Sequence, residues 1–366
     1  MDDVLSITKY ERVGLKFNPF SKRPLEPHDM RLMVGRKKEA RMCFKAIARC
    51  ENCIIYGLKG IGKTTLINYV RYRCERAGVY TSFLNMPTST RKFLISLLIG
   101  LIKNKPKKMD ATVYHKIIRD VNKYQNSPTV LSSFMLEQYI DKYIDMLDSQ
   151  YPVVVFIDEI HNIVKKSDAY LSSFLCTYLF KKEFVFIGSG LTTFYKSTDP
   201  STDAMRDRFS QEVTLKPLNE KETRALILKR LKDAWVEENA FLFPEEILDL
   251  VWEYSYGNPR LIITLCGDLV DVALEDELNE NSCMEILKKH NLLYSQRLQE
   301  GLHGKTKEVY SLILQHNPIT PTQLSELLVC SPQSVQYHLN ILYSYGLITK
   351  IGMRPRTKYV PRTKVF

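Results

Sequence analysis

No stretch of the chain is apolar for long enough to cross a bilayer. The longest such run, Phe93–Ile102, falls well short of the roughly 20 residues a spanning helix needs and is interrupted by Ser96 and Gly100. The opening Met1-Asp2-Asp3 has neither a basic n-region nor an apolar h-region, so no secretory signal is expected. A soluble, cytoplasmic protein with no membrane partner is the expectation. There is no internal repeat and no low-complexity tract. With 45% hydrophobic and 25% charged residues in 366, disorder and collagen-like structure are excluded, and two or three globular domains are expected.

Paired cysteines are also missing. The eight cysteines are scattered, and the single CxxC, Cys50 and Cys53, has no second pair at zinc-ribbon spacing. Reduced thiols, mostly buried, are the reading, with no metal cage. Acidic residues are scarce toward the end of the chain. Residues 305–366 hold eight Lys/Arg against Glu308 and Glu326, and from Lys350 onward six basic residues meet no acid. The formal charge of +11 favours a polyanionic partner.

What is there falls into four segments. Residues 1–34 form a polar, Pro-containing arm with the cluster Gly14-Leu15-Lys16-Phe17-Asn18-Pro19-Phe20. Residues 35–217 alternate helices with short apolar strands, predicted near Asn52–Tyr56, Val79–Leu84, Val153–Ile157, Phe184–Ile187 and Glu212–Leu215, with two or three helices over 89–150. Apolar runs without alternation suit parallel strands buried on both faces. From 218 to 303 the pattern is wholly helical, opened by Asn219 with Glu222 as a capping box. Residues 304–366 form a separate small module. An α/β domain with a helical lid follows from this order.

Gly57-Leu58-Lys59-Gly60-Ile61-Gly62-Lys63-Thr64, followed by Thr65, matches GxxxxGK[ST] between a predicted strand and a predicted helix. Glycines let backbone N–H groups turn toward phosphate oxygens, and the helix N-terminus favours negative charge. Lys63 would reach the β/γ-phosphates of ATP and Thr64 would ligate Mg²⁺. A second apolar strand delivers Asp158 to hold Mg²⁺, directly or through water, and Glu159 to polarise the attacking water. His161 is read as a local hydrogen-bonding residue and not as a ligand.

These residues bring the chain to a family resemblance. A phosphate loop, an Asp-Glu strand, a polar residue after the next strand, an Arg before a further strand and Gly257-Asn258-Pro259-Arg260 in a helical lid resemble AAA+ P-loop ATPases over roughly residues 30–300. Within that class the chain resembles archaeal origin-recognition initiators of the Orc/Cdc type, through Val34-Gly35-Arg36-Lys37-Lys38-Glu39, Asn85 and the C-terminal module. It also resembles ExeA and transposition ATPases, through Gly14-Leu15 with Asn18-Pro19-Phe20, through Asp158-Glu159-Ile160-His161, and through Gly257 to Ile262. The resemblance implies that Ser189, or its competitor Thr192, is the sensor that positions water and γ-phosphate. It implies that Arg208, or the nearby Arg206, is the finger that reaches a neighbouring subunit's γ-phosphate, so self-association through the AAA+ domain is implied as well. It further makes Arg260 the lid arginine that reads the γ-phosphate within its own subunit. Val34 and Gly35 would line the adenine pocket through their backbone.

In the C-terminal module, Thr320-Pro321-Thr322-Gln323 reads as an N-cap, Pro at N1 and Gln at N3, with Leu324, Leu327 and Leu328 facing inward. Ser331-Pro332 starts a second helix after the turn Val329-Cys330. Its apolar stripe is Val335, Leu339 and Leu342, and its opposite face carries Gln333, Gln336, Tyr337 and Asn340, with Gly346 as its end. Two strands then flank the basic tip Gly352–Arg356. The module resembles a winged helix-turn-helix. Its second helix would enter a major groove of duplex DNA, and Arg354, Arg356 and Lys358 would neutralise phosphates or enter a minor groove. Two further readings compete with an ATP-controlled replication initiator: a regulator of DNA transposition or mobile-element maintenance, and a signalling NTPase whose winged helix binds protein.

Overall fold

The computed structural model describes residues 7–85, 89–103, 108–126, 132–147, 151–160, 169–191, 204–237, 242–275, 278, 281, 283–287, 290, 302, 304–344, 347–352 and 357–361. Two compact units emerge, residues 22–218 and residues 1–21 with 219–366.

The unit 22–218 is a doubly covered parallel sheet. Its elements are α1 (Lys37–Ala48), β1 (Cys53–Tyr56), α2 (Lys63–Arg76), β2 (Thr81–Asn85), α3 (Thr90–Leu101), α4 (Ala111–Asn126), α5 (Ser133–Asp145), β3 (Val153–Asp158), α6 (Ala169–Tyr178), β4 (Phe184–Gly190) and β5 (Gln211–Thr214). The strand order is β2-β3-β4-β1-β5, every pair parallel. Side chains alternate across each strand, so Cys53, Ile55, Val154, Phe156, Val185 and Ile187 pack with α1 and α2 on one face. Ile54, Tyr56, Val153, Val155, Phe184 and Phe186 pack with α3, α5 and α6 on the other. Burial on both faces explains why these strands read as unbroken apolar runs.

Strand boundaries shift relative to the sequence expectation, most at β2 and β4. β2 starts two residues later and ends one later, at Thr81–Asn85, and β4 continues past Ile187 to Gly190. The extension arises because Gly188, Ser189 and Gly190 still find parallel partners in Ile54, Ile55 and Tyr56 of β1. Backbone pairing, which apolarity does not report, decides where the strand ends.

The other unit begins with the arm. Leu15 bridges Trp235 in antiparallel fashion, with Lys16 N–H donating to Ala234 O at 2.7 Å and Val236 N–H to Gly14 O at 3.0 Å. Asn18 Nδ2 donates to Gly267 O at 3.0 Å, its Oδ1 accepts from Phe20 N–H at 3.1 Å, and Arg230 Nη1 donates to Pro19 O at 2.9 Å. Leu15 and Phe20 are buried. Residues 7–21 are therefore folded onto α7 (Glu220–Ala234) and α9 (Pro259–Ala273) of a helical unit that also holds α8 (Glu245–Ser255). The capping box read from Asn219 and Glu222 is present in both directions.

The last module comprises α10 (Gly304–Gln315), α11 (Pro321–Leu327), α12 (Pro332–Ser344), β6 (Ile348–Ile351) and β7 (Lys358–Pro361). Val309, Ile313, Leu324, Val335, Leu339, Leu342, Ile348 and Tyr359 form its core. Ile319 adds a bridge to Tyr359, with backbone bonds of 3.0 and 2.8 Å. Leu327 corrects the sequence reading: it is 51% exposed, while Leu324 is fully buried and Leu328 half-buried. On so short a helix only one side of the turn meets the core, and Leu327 lies about 60° from Leu324, away from Leu328. Among the described residues, no helix is long and apolar enough to cross a membrane.

Candidate functional site

Three consecutive features of the sheet order bring one site together. β1 ends at Tyr56 and opens into the loop Gly57–Gly62, β3 ends at Asp158, and β4, which lies between them, ends at Ser189 and Gly190. All three stand at the carboxyl edge of a parallel sheet, where ligands bind in such folds.

The loop is shaped by its glycines. A Cβ on Gly57 would come within 2.8 Å of Ile61 Cγ2 and 3.2 Å of the Leu215 carbonyl, so only hydrogen fits. Gly62 caps α2 in the left-handed region at φ +99°, which leaves the first-turn amides uncapped by a side chain. Those amides and the helix dipole suit an anion. Lys63 is buried and folds back along the loop, its Nζ donating to Gly57 O and Leu58 O, each at 2.9 Å. Lys59 is exposed, and Leu58, Thr64 and Thr65 are half-buried.

Thr64 Oγ1 donates to Asp158 Oδ2 at 2.7 Å, which joins the phosphate loop to the end of β3. Ser189 Oγ donates to Asp158 Oδ1. Glu159, exposed and held at φ +52°, gives its N–H to Asp158 Oδ1 at 3.0 Å and Ser189 Oγ at 3.2 Å. The sequence-derived residues Lys63, Thr64, Asp158, Glu159 and Ser189 therefore converge. His161 and Thr192 lie outside the described residues.

Two residues important to this geometry were not singled out by the sequence. Arg36, buried before α1, donates from Nη2 to Ile61 O at 3.1 Å and so braces the loop from behind. It follows Val34 and left-handed Gly35, which places that pair beside the loop's support. Asn52, just ahead of β1, ties three segments at the opposite edge: Nδ2 donates to Leu179 O at 2.8 Å and Arg208 O at 3.1 Å, and Oδ1 accepts from Phe186 N–H at 2.9 Å. A lone polar residue leading into a buried strand was the available signal for Asn52. Arg36 offered only its place in Val34–Glu39.

Arg208 is not part of its own chain's phosphate site. It precedes β5, whose Gln211 pairs with Cys53 at the start of β1, and the phosphate loop follows the other end of that strand. Its guanidinium lies 3.8 Å over the ring of Phe180, a ring 66% exposed, while its Nε is buried without a hydrogen-bond partner. Arg206 is half-buried two residues away. In the second unit, Arg260 is exposed in the first turn of α9, and Asn258 Oδ1 accepts from the N–H of Arg260 and of Leu261 at 3.1 and 3.4 Å.

On α12, Gln333, Tyr337 and Asn340 are exposed. Gln336, half-buried, donates from Nε2 to Asn340 Oδ1 at 3.0 Å and Tyr359 Oη at 3.4 Å. Partial burial raises the Tyr337 phenol above its ordinary value. Lys358 is exposed on β7, and Lys350 Nζ lies 4.8 Å over the Tyr343 ring. Arg354 and Arg356 lie outside the described residues.

A family profile described as an ATPase domain predominantly from Archaea matches residues 36–265. The chain belongs to this family and is an ATPase. Over 363 residues it is 25% identical to an uncharacterized HTH-type transcriptional regulator of Methanocaldococcus jannaschii, covering 93% of this chain and 88% of that protein. Among solved structures, the Orc2 protein of Aeropyrum pernix in its ADPNP-ADP complexes has a TM-score of 0.60 at 14% identity, covering 94% and 93% of the two chains. A Walker-type ATPase of Pyrococcus abyssi has a TM-score of 0.59 at 13% identity, over 94% of this chain and 97% of that one. The chain thus shares its fold, a parallel sheet covered by helices, with the Orc2 protein and the Walker-type ATPase.

Proposed function

We propose that this ATPase is an ATP-controlled DNA-binding protein of the replication-initiator type. Its ATP would lie on the loop Gly57–Thr65, with Lys63 at the β/γ-phosphates and the backbone of Val34 and Gly35 at the adenine. The donor set fits Mg²⁺. Among the described residues no group of three or more His, Cys, Asp or Glu is gathered, whereas Thr64 and Asp158 stand 2.7 Å apart beside the phosphate loop. A hard cation that keeps several waters and phosphate oxygens needs few protein ligands. Bound there, Mg²⁺ would supply charge for the developing phosphates, and Glu159 would accept the proton of the attacking water. Arg260 would read the γ-phosphate within the subunit, and Arg208 that of a neighbour.

The DNA assignment rests on one observation: α12 carries Gln333, Tyr337 and Asn340 exposed opposite a fully buried stripe of Val335, Leu339 and Leu342. An amide-bearing face on a capped helix, followed by an antiparallel ribbon ending in Lys358, has the composition of a winged helix that reads base edges and anchors on phosphates. The ribbon's third partner, Ile319, supports the winged form. The wording of the Methanocaldococcus relative, an HTH-type transcriptional regulator, favours a second reading in which the DNA sites lie at regulated genes, mobile elements included, and not at origins.

Two sets of variants test this. Replacing Arg354, Arg356 and Lys358 together should weaken binding to every duplex, with the log–log salt slope falling by about 0.9 per lost phosphate contact. Gln336→Ala or Asn340→Ala should cost about 1–3 kcal/mol at the preferred site and little elsewhere. A chain ending near residue 301 that binds DNA with full affinity and sequence preference would remove the winged helix as the reader and favour a protein partner for it. Mapping the genomic DNA bound in cells separates origins from regulated genes.

A further inference from the structure

Asp158 is the meeting point of two hydroxyls. Thr64 Oγ1 donates to Oδ2 at 2.7 Å, and Ser189 Oγ donates to Oδ1. The same Ser189 oxygen accepts the N–H of Glu159 at 3.2 Å, and the Ser189 carbonyl accepts the N–H of Ile160 at 2.8 Å. Ser189 is wholly buried, on β4 beside β3, where Ile157 pairs with Gly188. Glu159 is held in left-handed backbone, a conformation L-residues seldom adopt.

The family resemblance casts a residue at this place as a reader of the γ-phosphate. The hydrogen-bond inventory opposes that for Ser189. A hydroxyl has one proton, and here it goes to a carboxylate, a charge-assisted bond. Its acceptor side faces the Glu159 amide. To donate to a phosphate, Ser189 would have to release Asp158 and emerge from full burial.

We propose that Ser189 is a positioning residue for the acid pair at the end of β3: it pins Oδ1 of Asp158 and the backbone of Glu159, so that Oδ2 remains turned toward Thr64 and the cation. The inference rests on the reading of Thr64 and Asp158 as the cation's ligands. A carboxylate pinned at one oxygen cannot swing about its Cβ–Cγ bond, and its other oxygen stays in place when the Thr64 hydroxyl turns from it to the metal. Loss of such an outer partner typically weakens metal affinity by about 10–100-fold. The effect is blind to the γ-phosphate, so it is the same with ADP as with ATP. That separates the positioning role from the reader.

The test uses the full chain with fluorescent ADP and a non-hydrolysable ATP analogue, titrated with Mg²⁺ and, separately, without metal. Ser189→Ala should raise the half-saturating Mg²⁺ by about 10–100-fold for both nucleotides and leave metal-free binding near the parental value. Ser189→Thr, which keeps the hydroxyl, should restore most of the metal affinity. A loss confined to the ATP analogue overturns the proposal in favour of a γ-phosphate reader, and an unchanged Mg²⁺ requirement overturns it outright. Lys63→Ala runs alongside: if it binds nucleotide as the parent does, the phosphate-loop reading itself fails, and the proposal with it. Should the alanine variant not fold, Ser189→Cys takes its place, since a thiol is a weak donor. A cysteine variant with parental Mg²⁺ dependence for ADP would again refute the role.

Discussion

At the scale of single residues, the two acids that follow β3 are treated differently by the backbone. Asp158 is half-buried and held by two hydroxyls, while the left-handed turn at Glu159 carries the next carboxylate outward into exposure. A cation ligand needs a fixed oxygen; a base that meets water needs access. Glu159→Gln keeps the size and the backbone bonds but removes the proton acceptor. It should bind Mg-ATP with about parental affinity and hydrolyse it at least about 100-fold more slowly, the usual worth of a positioned base. Parallel measurements of nucleotide affinity and phosphate release check this, and parental turnover would dismiss Glu159 as the base. The pair was legible in the sequence because an apolar strand ending in Asp-Glu is a local pattern. Arg36 was not, because its value lies in a contact with Ile61 across 25 positions.

At the scale of elements, the clearest departure from the sequence reading is the arm. Composition marked residues 1–34 as a polar, Pro-containing arm, and Gly14–Phe20 of it is built into the helical unit. Its Pro and Asn serve as turn and acceptor: Asn18 spans Gly267 O and the Phe20 amide, and Pro19 offers its carbonyl to buried Arg230. Phe20, 5% exposed, sits beside Gly267 and 6.2 Å from the Phe243 ring. Phe20→Ala should destabilise this unit by about 3 kcal/mol through the cavity it leaves. Urea unfolding followed by tryptophan fluorescence reads that unit directly, because Trp235, whose backbone bridges Leu15, and Trp252 both belong to it. A midpoint unchanged from the parent would mean that the arm is not integral to it. The motif's residues were visible in the sequence; the surface they cover was not, since Phe20 and Gly267 are far apart in the chain.

At the scale of the whole molecule, register decides what one chain can and cannot do. Arg208 stands before β5, level with the start of β1, and the phosphate loop begins after β1 ends. The three steps from Cys53 to Tyr56 hold the two ends of the strand about 10 Å apart. An arginine so placed is out of reach of its own phosphate loop, and we propose that it acts at the site of another copy. Specific activity should therefore rise with protein concentration, and Arg208→Ala should lower turnover far more than ATP affinity. Mixing Arg208→Ala with Lys63→Ala should restore part of the activity, because one mixed interface carries both intact parts. Activity independent of concentration and of Arg208 would rule out the shared site.

The amino-acid sequence alone determined the features that are local in the chain. Glycine spacing before Lys63, apolar runs ending in acids, and the N-caps Asn219 and Thr320 each need only a few neighbouring residues, and each appears in the structure. Tertiary structure decided the rest, because it depends on which strands become neighbours. The order β2-β3-β4-β1-β5 inserts β4 between the two halves of the nucleotide site. That insertion brings the Ser189 hydroxyl to Asp158 and ends β4 at Gly190 and not at Ile187, while the parallel register of β5 on β1 keeps Arg208 at the other edge. Sequence patterning records which faces must be buried, but strand order and register are set by the packing of the whole sheet.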